Sequence, residues 1–107
     1  MAVAKIVVLY PRPTDIAAFE KAYVEDHVPM VPNFSGITKF VQTKVVGTAS
    51  GEAAPFHRIA ELYFPSIEGL KTAASSRDAQ QAVAHAVSIS SGGSPIILVC
   101  EESITNY

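Results

Sequence analysis

His27 is the residue whose type and position most directly suggest chemistry in this chain. It lies in Asp15–Pro29, DIAAFEKAYVEDHVP, which opens on a helix-capping aspartate and closes at a proline. At about 100° per residue, Ile16, Phe19, Tyr23, His27 and Met30 gather within roughly a quarter of a helical wheel. His27 therefore sits on the apolar stripe near a helix C-terminus, with Asp26 beside it. Carbonyl dipoles and a carboxylate favour imidazolium there, whereas burial disfavours it. A histidine balanced in this way is a candidate general acid or base. The alternative is a histidine that bonds a backbone carbonyl and locks the helix end.

Glu61 is the second candidate. It stands in the middle of IAELYF, where alternation makes Ile59 and Tyr63 its strand-mates. A carboxylate on a largely apolar strand must be paired or solvated. A pocket would solvate it, and partial desolvation would raise it toward the range of a general base. The alternatives are a salt bridge with Lys5 or Lys39, or plain exposure. Tyr10, Tyr23 and Tyr63 place hydroxyls at otherwise apolar positions and are candidate substrate contacts, polarising a carbonyl or phenol. Their other reading is core packing with the hydroxyl at the rim. Lys39 is a candidate substrate contact as well, or a solvated strand residue like Lys44.

Other chemistries find less support. His57 opens a strand, and His85 is expected on the polar side of the last helix. The spacing of the three histidines matches no ligand motif, so no metal is expected. Ser90–Pro95 (SSGGSP) reads as a turn, without the lysine and helix start of a phosphate cradle. With no GxGxxG in so short a chain, no Rossmann-type nicotinamide or flavin site and no cofactor is expected. No Ser-His-Asp or Cys-His arrangement is legible. The lone Cys100 lies in the apolar run IILVC and reads as a buried thiol.

The elements that must position these residues alternate in type. Val3–Tyr10 is a strand, apolar apart from Lys5, and reads as buried on both faces. Pro11-Arg12-Pro13 stops it. Thr14 or Asp15 caps the helix, which Pro29 and Pro32 end. After Gly36, a strand is expected over Ile37–Val46, a loop over Gly47–Pro55 and a strand over Phe56–Phe64. Ser66 caps a short helix, Ile67–Ala74, and Ser75-Ser76 breaks it. Asp78 is the next candidate cap, for a helix over Ala79–Val87. A last strand spans Ile96–Glu101, and Ser103–Tyr107 is a tail. The order β-α-β-β-α-β predicts an α+β, ferredoxin-like fold, an antiparallel four-stranded sheet with both helices on one face.

The chain has 107 residues, 49% of them apolar, which predicts one domain with a compact core. The formal charge of −2 and the lack of a basic run argue against nucleic acid and against an anionic membrane surface. The apolar start MAVAKIVVLYPRP is too short and too soon interrupted for a signal peptide, and no run approaches a membrane span. A soluble, cytoplasmic protein is expected, and the sequon Asn33-Phe34-Ser35 then carries no meaning. KIVVLY and IILVCE are apolar on both faces, so the sheet face away from the helices needs a cover. A second copy is the simplest cover, which predicts a homodimer with sheets packed face to face. A space enclosed between them would hold a small organic molecule.

Taken in order, LYPRPTDIAAFEKAYVEDHVP, then Gly36-Ile37-Thr38-Lys39-Phe40, then IAELYFPSIEGLKTAASSRDAQ resemble the EthD family. The likeness runs from about Lys5 to Glu101. Its most specific elements are Tyr10-Pro11, Phe19, Tyr23, His27 with Pro29, Gly36, Glu61 with Phe64, and Ser76–Gln80. The resemblance implies a ferredoxin-like fold in the dimeric α+β barrel superfamily. Members of that family are labelled reductases and associated with ethyl tert-butyl ether degradation. Relatives of the architecture perform cofactor-free oxygenation, isomerisation, cyclisation or decarboxylation. One departure is VSISSGGSP before the last strand, where the family pattern has an aromatic and a threonine ahead of the glycines. The combined expectation is a small dimeric enzyme acting on a small apolar molecule by acid–base or cofactor-independent oxidative chemistry in a pocket between sheet and helices. His27 and Glu61 would be its catalytic groups. A carrier or accessory protein with the same pocket is the alternative.

Overall fold

The computed structural model describes residues 3–107; Met1 and Ala2, which open the apolar N-terminal stretch, lie outside it. Four strands, β1 (Val3–Pro11), β2 (Lys39–Lys44), β3 (Phe56–Phe64) and β4 (Ile96–Glu102), form one antiparallel sheet in the order β2-β3-β1-β4. The helices α1 (Ile16–Ala22), α2 (Ile67–Ala74) and α3 (Arg77–Ile89) complete the expected α+β, ferredoxin-like arrangement.

Strand pairing divides the side chains between two faces. Val7 opposes Glu61 and Leu98, and Lys5 opposes Tyr63 and Cys100. Ala4, Ile6, Val8 and Tyr10 therefore share the other face with Ala60, Leu62 and Phe64, all of them buried. Phe19 and Tyr23, Leu70 and Ala73, and Ala79, Ala82 and Ala86 pack onto that face from the helices. Strand β1 is not buried on both sides, because its odd-numbered residues are only partly covered. Both faces of β4 are open, with Ile96, Ile97, Leu98 and Val99 each 42–59% exposed.

The segment expected as one helix to Pro29 is three. Asp15 caps α1 by accepting from the Ala18 N–H at 3.0 Å. After Ala22 the backbone widens into a π-turn, Tyr23–His27, in which the Val28 N–H bonds back to the Tyr23 carbonyl. A 3-10 segment, Val28–Asn33, follows. Pro29 and Pro32 have no N–H to continue an α ladder, so the chain takes other turns there.

Further on, α2 begins where expected, with Ser66 Oγ accepting from Gly69 N–H at 3.0 Å. Helix α3 starts earlier than expected. Ser76 rather than Asp78 caps it, accepting from Ala79 N–H at 3.1 Å while donating to the Ala73 carbonyl at 2.6 Å. One hydroxyl thus fastens α2 to α3. Strand β2 is shorter than Ile37–Val46, continued only by single bonds from Thr38 N–H to Tyr63 and from Val45 N–H to His57. The SSGGS turn packs so closely on the end of β1 that a Cβ on Gly92 would collide with the Arg12 carbonyl.

Candidate functional site

Between the buried sheet face and the helices lies a partly open cavity of about 100 Å³. Its wall is apolar except for Tyr10 and His27. The space exists because five facing positions are alanine: Ala60 on β3, Ala74 on α2, and Ala79, Ala82 and Ala86 on α3. The cavity therefore lies between sheet and helices within each chain, as the sequence reading of the pocket expected, and not in the space between two stacked sheets that the open outer face also suggested.

Tyr10 reaches the cavity from the end of β1, and His27 from the π-turn. The Tyr10 hydroxyl is 3.1 Å from His27 Nε2. The other ring nitrogen, Nδ1, is 3.0 Å from Nδ1 of His85 on α3, the two rings lying within 9° of parallel. Tyr10 is 1% and His27 7% exposed, while His85 is half-buried at the surface. His85 does not project to the polar side of its helix as expected. It stands one residue before Ala86, at the edge of the buried Ala79, Ala82, Ala86 stripe, where α3 passes the π-turn.

The electrostatics follow from burial. Desolvation, aided by the neighbouring His85, pushes the His27 imidazole down to about 4. Burial pushes the Tyr10 phenol up. At neutral pH the pair is an uncharged imidazole beside an un-ionised phenol. His27 does not gain the imidazolium character that a helix end beside Asp26 suggested, because desolvation outweighs those attractions.

Tyr23 lies behind His27 and not in the cavity wall. It stacks on Phe19 and His27 with centroids 5.6 and 5.8 Å apart, and the Arg58 guanidinium lies 5.1 Å from its ring centre. Burial pushes its phenol up to about 12. Arg58 is fixed by two hydrogen bonds to Glu20, at 2.7 and 3.0 Å, which hold that carboxyl below its usual range. His57 is buried against the same carboxylate, its Nε2 3.3 Å from Glu20 Oε2. Two of the three histidines thus meet, His27 at the cavity wall and His85 behind it toward the surface, and the third supports α1.

Glu61, Tyr63 and Lys39 are on the opposite, outer face of the sheet. Strand alternation puts them there, since Lys39 pairs with Tyr63 and Tyr63 with Lys5. Lys5 bridges Glu61 at 2.6 Å and Glu102 at 2.8 Å, and the Tyr63 hydroxyl donates to Glu102 at 2.7 Å. The Lys39 ammonium is 4.2 Å from the Tyr63 ring centre. Hydrogen bonds to Glu102 and Glu61 push the Lys5 ammonium up, and those from Lys5 and Tyr63 hold Glu102 down. Glu61 is therefore in the salt-bridged arrangement with Lys5 and does not share a pocket with His27. Among the described residues no three His, Cys, Asp or Glu side chains converge as a metal site, and no helix is long and apolar enough to cross a membrane.

The profile of the EthD domain matches residues 11–87. The chain belongs to the EthD family. A relative in Rhodococcus erythropolis, an uncharacterised 11.0 kDa protein of the thcB–thcC intergenic region, is 29% identical and aligns over 94% of this chain and 96% of its own length. The crystal structure of an EthD family protein from Bacillus halodurans superposes with a TM-score of 0.87 at 26% identity, covering 94% of this chain and 99% of the other. A dimeric ferredoxin-like protein of unknown function from Thermobifida fusca superposes at 0.68 with 9% identity, covering 92% and 90%, and shares the fold. The EthD match includes His27, Glu61 and His85, although only the two histidines meet in space. His85 was the contact that sequence reasoning missed. The signal was the alanine spacing 79, 82, 86, which marks the helix face that approaches the sheet.

Proposed function

We propose that this EthD protein is a small homodimeric enzyme that performs acid–base chemistry on a compact, largely apolar molecule carrying one carbonyl or hydroxyl oxygen. The observation that carries the reading is the Tyr10–His27 hydrogen bond at the wall of an otherwise apolar cavity. An apolar pocket with few convergent polar groups selects small hydrophobic ligands and orients them by those groups. For scale, a cavity of about 150 Å³ accepts benzene, so the ligand here is of that size or smaller. Tyr10 donates to the substrate oxygen, and His27, neutral at physiological pH, exchanges a proton with Tyr10 as charge develops there. Such a pair suits enolisation, isomerisation or elimination next to a carbonyl.

The homodimer reading rests on the open apolar faces of β4 and on the dimeric state named for the Thermobifida fusca relative in fold. The outer-face cluster of Lys5, Glu61, Glu102 and Tyr63 would be covered in that assembly, its charges already paired within one chain.

The test does not depend on the identity of the substrate. Small ketones incubated with the protein in deuterium oxide should gain deuterium beside the carbonyl, followed by mass spectrometry. Tyr10→Phe and His27→Gln should each slow this by roughly 100-fold or more while the fold is kept. Ligand retention in native mass spectrometry with no exchange in any compound would make the protein a carrier instead.

A further inference from the structure

We propose that His85 is the outer station of a proton path that links the cavity to solvent through His27 and Tyr10. The proposal deepens the acid–base reading above and rests on it. Two facing Nδ1 atoms 3.0 Å apart need one hydrogen between them, so one ring donates and the other accepts. A neutral imidazole has one N–H, and this couples the two ends of His27.

In one arrangement His27 Nδ1–H donates to His85, and Nε2 accepts from the Tyr10 hydroxyl. In the other, His85 Nδ1–H donates to His27, and His27 Nε2–H donates to the Tyr10 oxygen. The Tyr10 hydrogen is then free to point into the cavity. Passage from the first to the second moves one proton at each link. Tyr10 takes a proton from the substrate and gives its own to His27 Nε2. His27 Nδ1 passes its proton to His85 Nδ1, and His85 releases the proton on its Nε2 to water. Every side chain ends neutral, one proton has gone from substrate to solvent, and the substrate is left as its enolate, the C–H electron pair now on the oxygen that accepts from the Tyr10 hydroxyl. The reverse stroke returns a solvent proton to the substrate, at the same carbon or at another.

Exposure follows the same direction, from the buried Tyr10 and His27 to the half-buried His85 at the surface. A path that leaves no side chain charged suits this interior, since an isolated buried imidazolium is costly. His85 acts through His27 and is a positioning and relay residue, not one that touches substrate.

The decisive experiment is hydrogen exchange of the His27 ring N–H, read by NMR on protein with 15N-labelled histidine. His85→Asn keeps a hydrogen-bonding side chain beside His27 but cannot pass a proton from one nitrogen to another. Exchange in His85→Asn should be slower than in the wild type by ~10-fold or more, and deuterium transfer to substrate should fall similarly with KM unchanged. Added imidazole should restore both rates in His85→Ala. An exchange rate in His85→Asn equal to that of the wild type overturns the path. So does undiminished deuterium transfer in that variant. Absence of any deuterium transfer by the wild type would instead remove the enzymatic reading, while the ring-exchange rates still decide whether the path exists.

Discussion

At the scale of single residues, the site depends on a histidine that stays uncharged. Its value of about 4 lies below that of a free imidazole, about 6.5, so the unfolded chain binds the proton first as pH falls. Stability is thus fully present above about pH 6.5 and is lost as pH falls toward 4, where the folded protein also takes the proton. The loss traceable to His27 should reach about 3 kcal/mol. Chemical denaturation at several pH values should show this slope in the wild type, and His27→Gln should remove that part of it. Glu20, held low by Arg58, adds its own loss at more acid pH. Comparison of the two proteins isolates the histidine. For the same reason, deuterium transfer should show no inflection near pH 6.5 arising from His27.

At the scale of elements, the π-turn and α3 bring the two histidines together. A π-turn fits one extra residue into a helical turn, which redirects the side chains that follow, and such turns are frequent at functional sites. Here it brings His27 against Tyr10 and into line with Phe19 and Tyr23 in a stack. Helix α3 is held by the Ser76 hydroxyl, so Ser76→Ala should lower stability by about 1 kcal/mol in urea denaturation. The alanines of α3 keep the cavity open. Ala82→Leu should fill it, leave the melting temperature unchanged or higher, and abolish retention of small ketones as measured by calorimetry. Binding unchanged in that variant would move the ligand site elsewhere.

At the scale of the whole molecule, the outer sheet face and β4 are the surfaces on which the proposed homodimer would form. Ile96 and Leu98 lie on that face, 44% and 43% exposed in one chain. Exposed apolar side chains in a row mark an interaction surface. In the proposed homodimer Leu98→Asp would bury a charge against a second copy, so light scattering after size exclusion should show a dimer for the wild type and a monomer for this variant. An unchanged dimer would place the interface on another surface. The cavity is bounded within one chain, so a folded monomeric variant should still bind ligand.

The order of elements, the spans Phe56–Phe64 and Ile67–Ala74, the Ser66 cap, and a cap at Thr14 or Asp15 were legible in the sequence, because alternation, helical period and capping are local; the structure chose Asp15. His27 also stood out by its place on an apolar stripe. Three features needed the tertiary structure. Glu61, Tyr63 and Lys39 are separated from His27 because pairing parity across β1, β2 and β3 assigns them to the outer face, and parity between strands is a long-range property. The break of α1 into a π-turn reflects Pro29 and Pro32 acting together with packing on β1. The meeting of His27 and His85, 58 residues apart, depends on where α3 crosses the π-turn. No local pattern records that crossing, since it is set by how two helices share one sheet face.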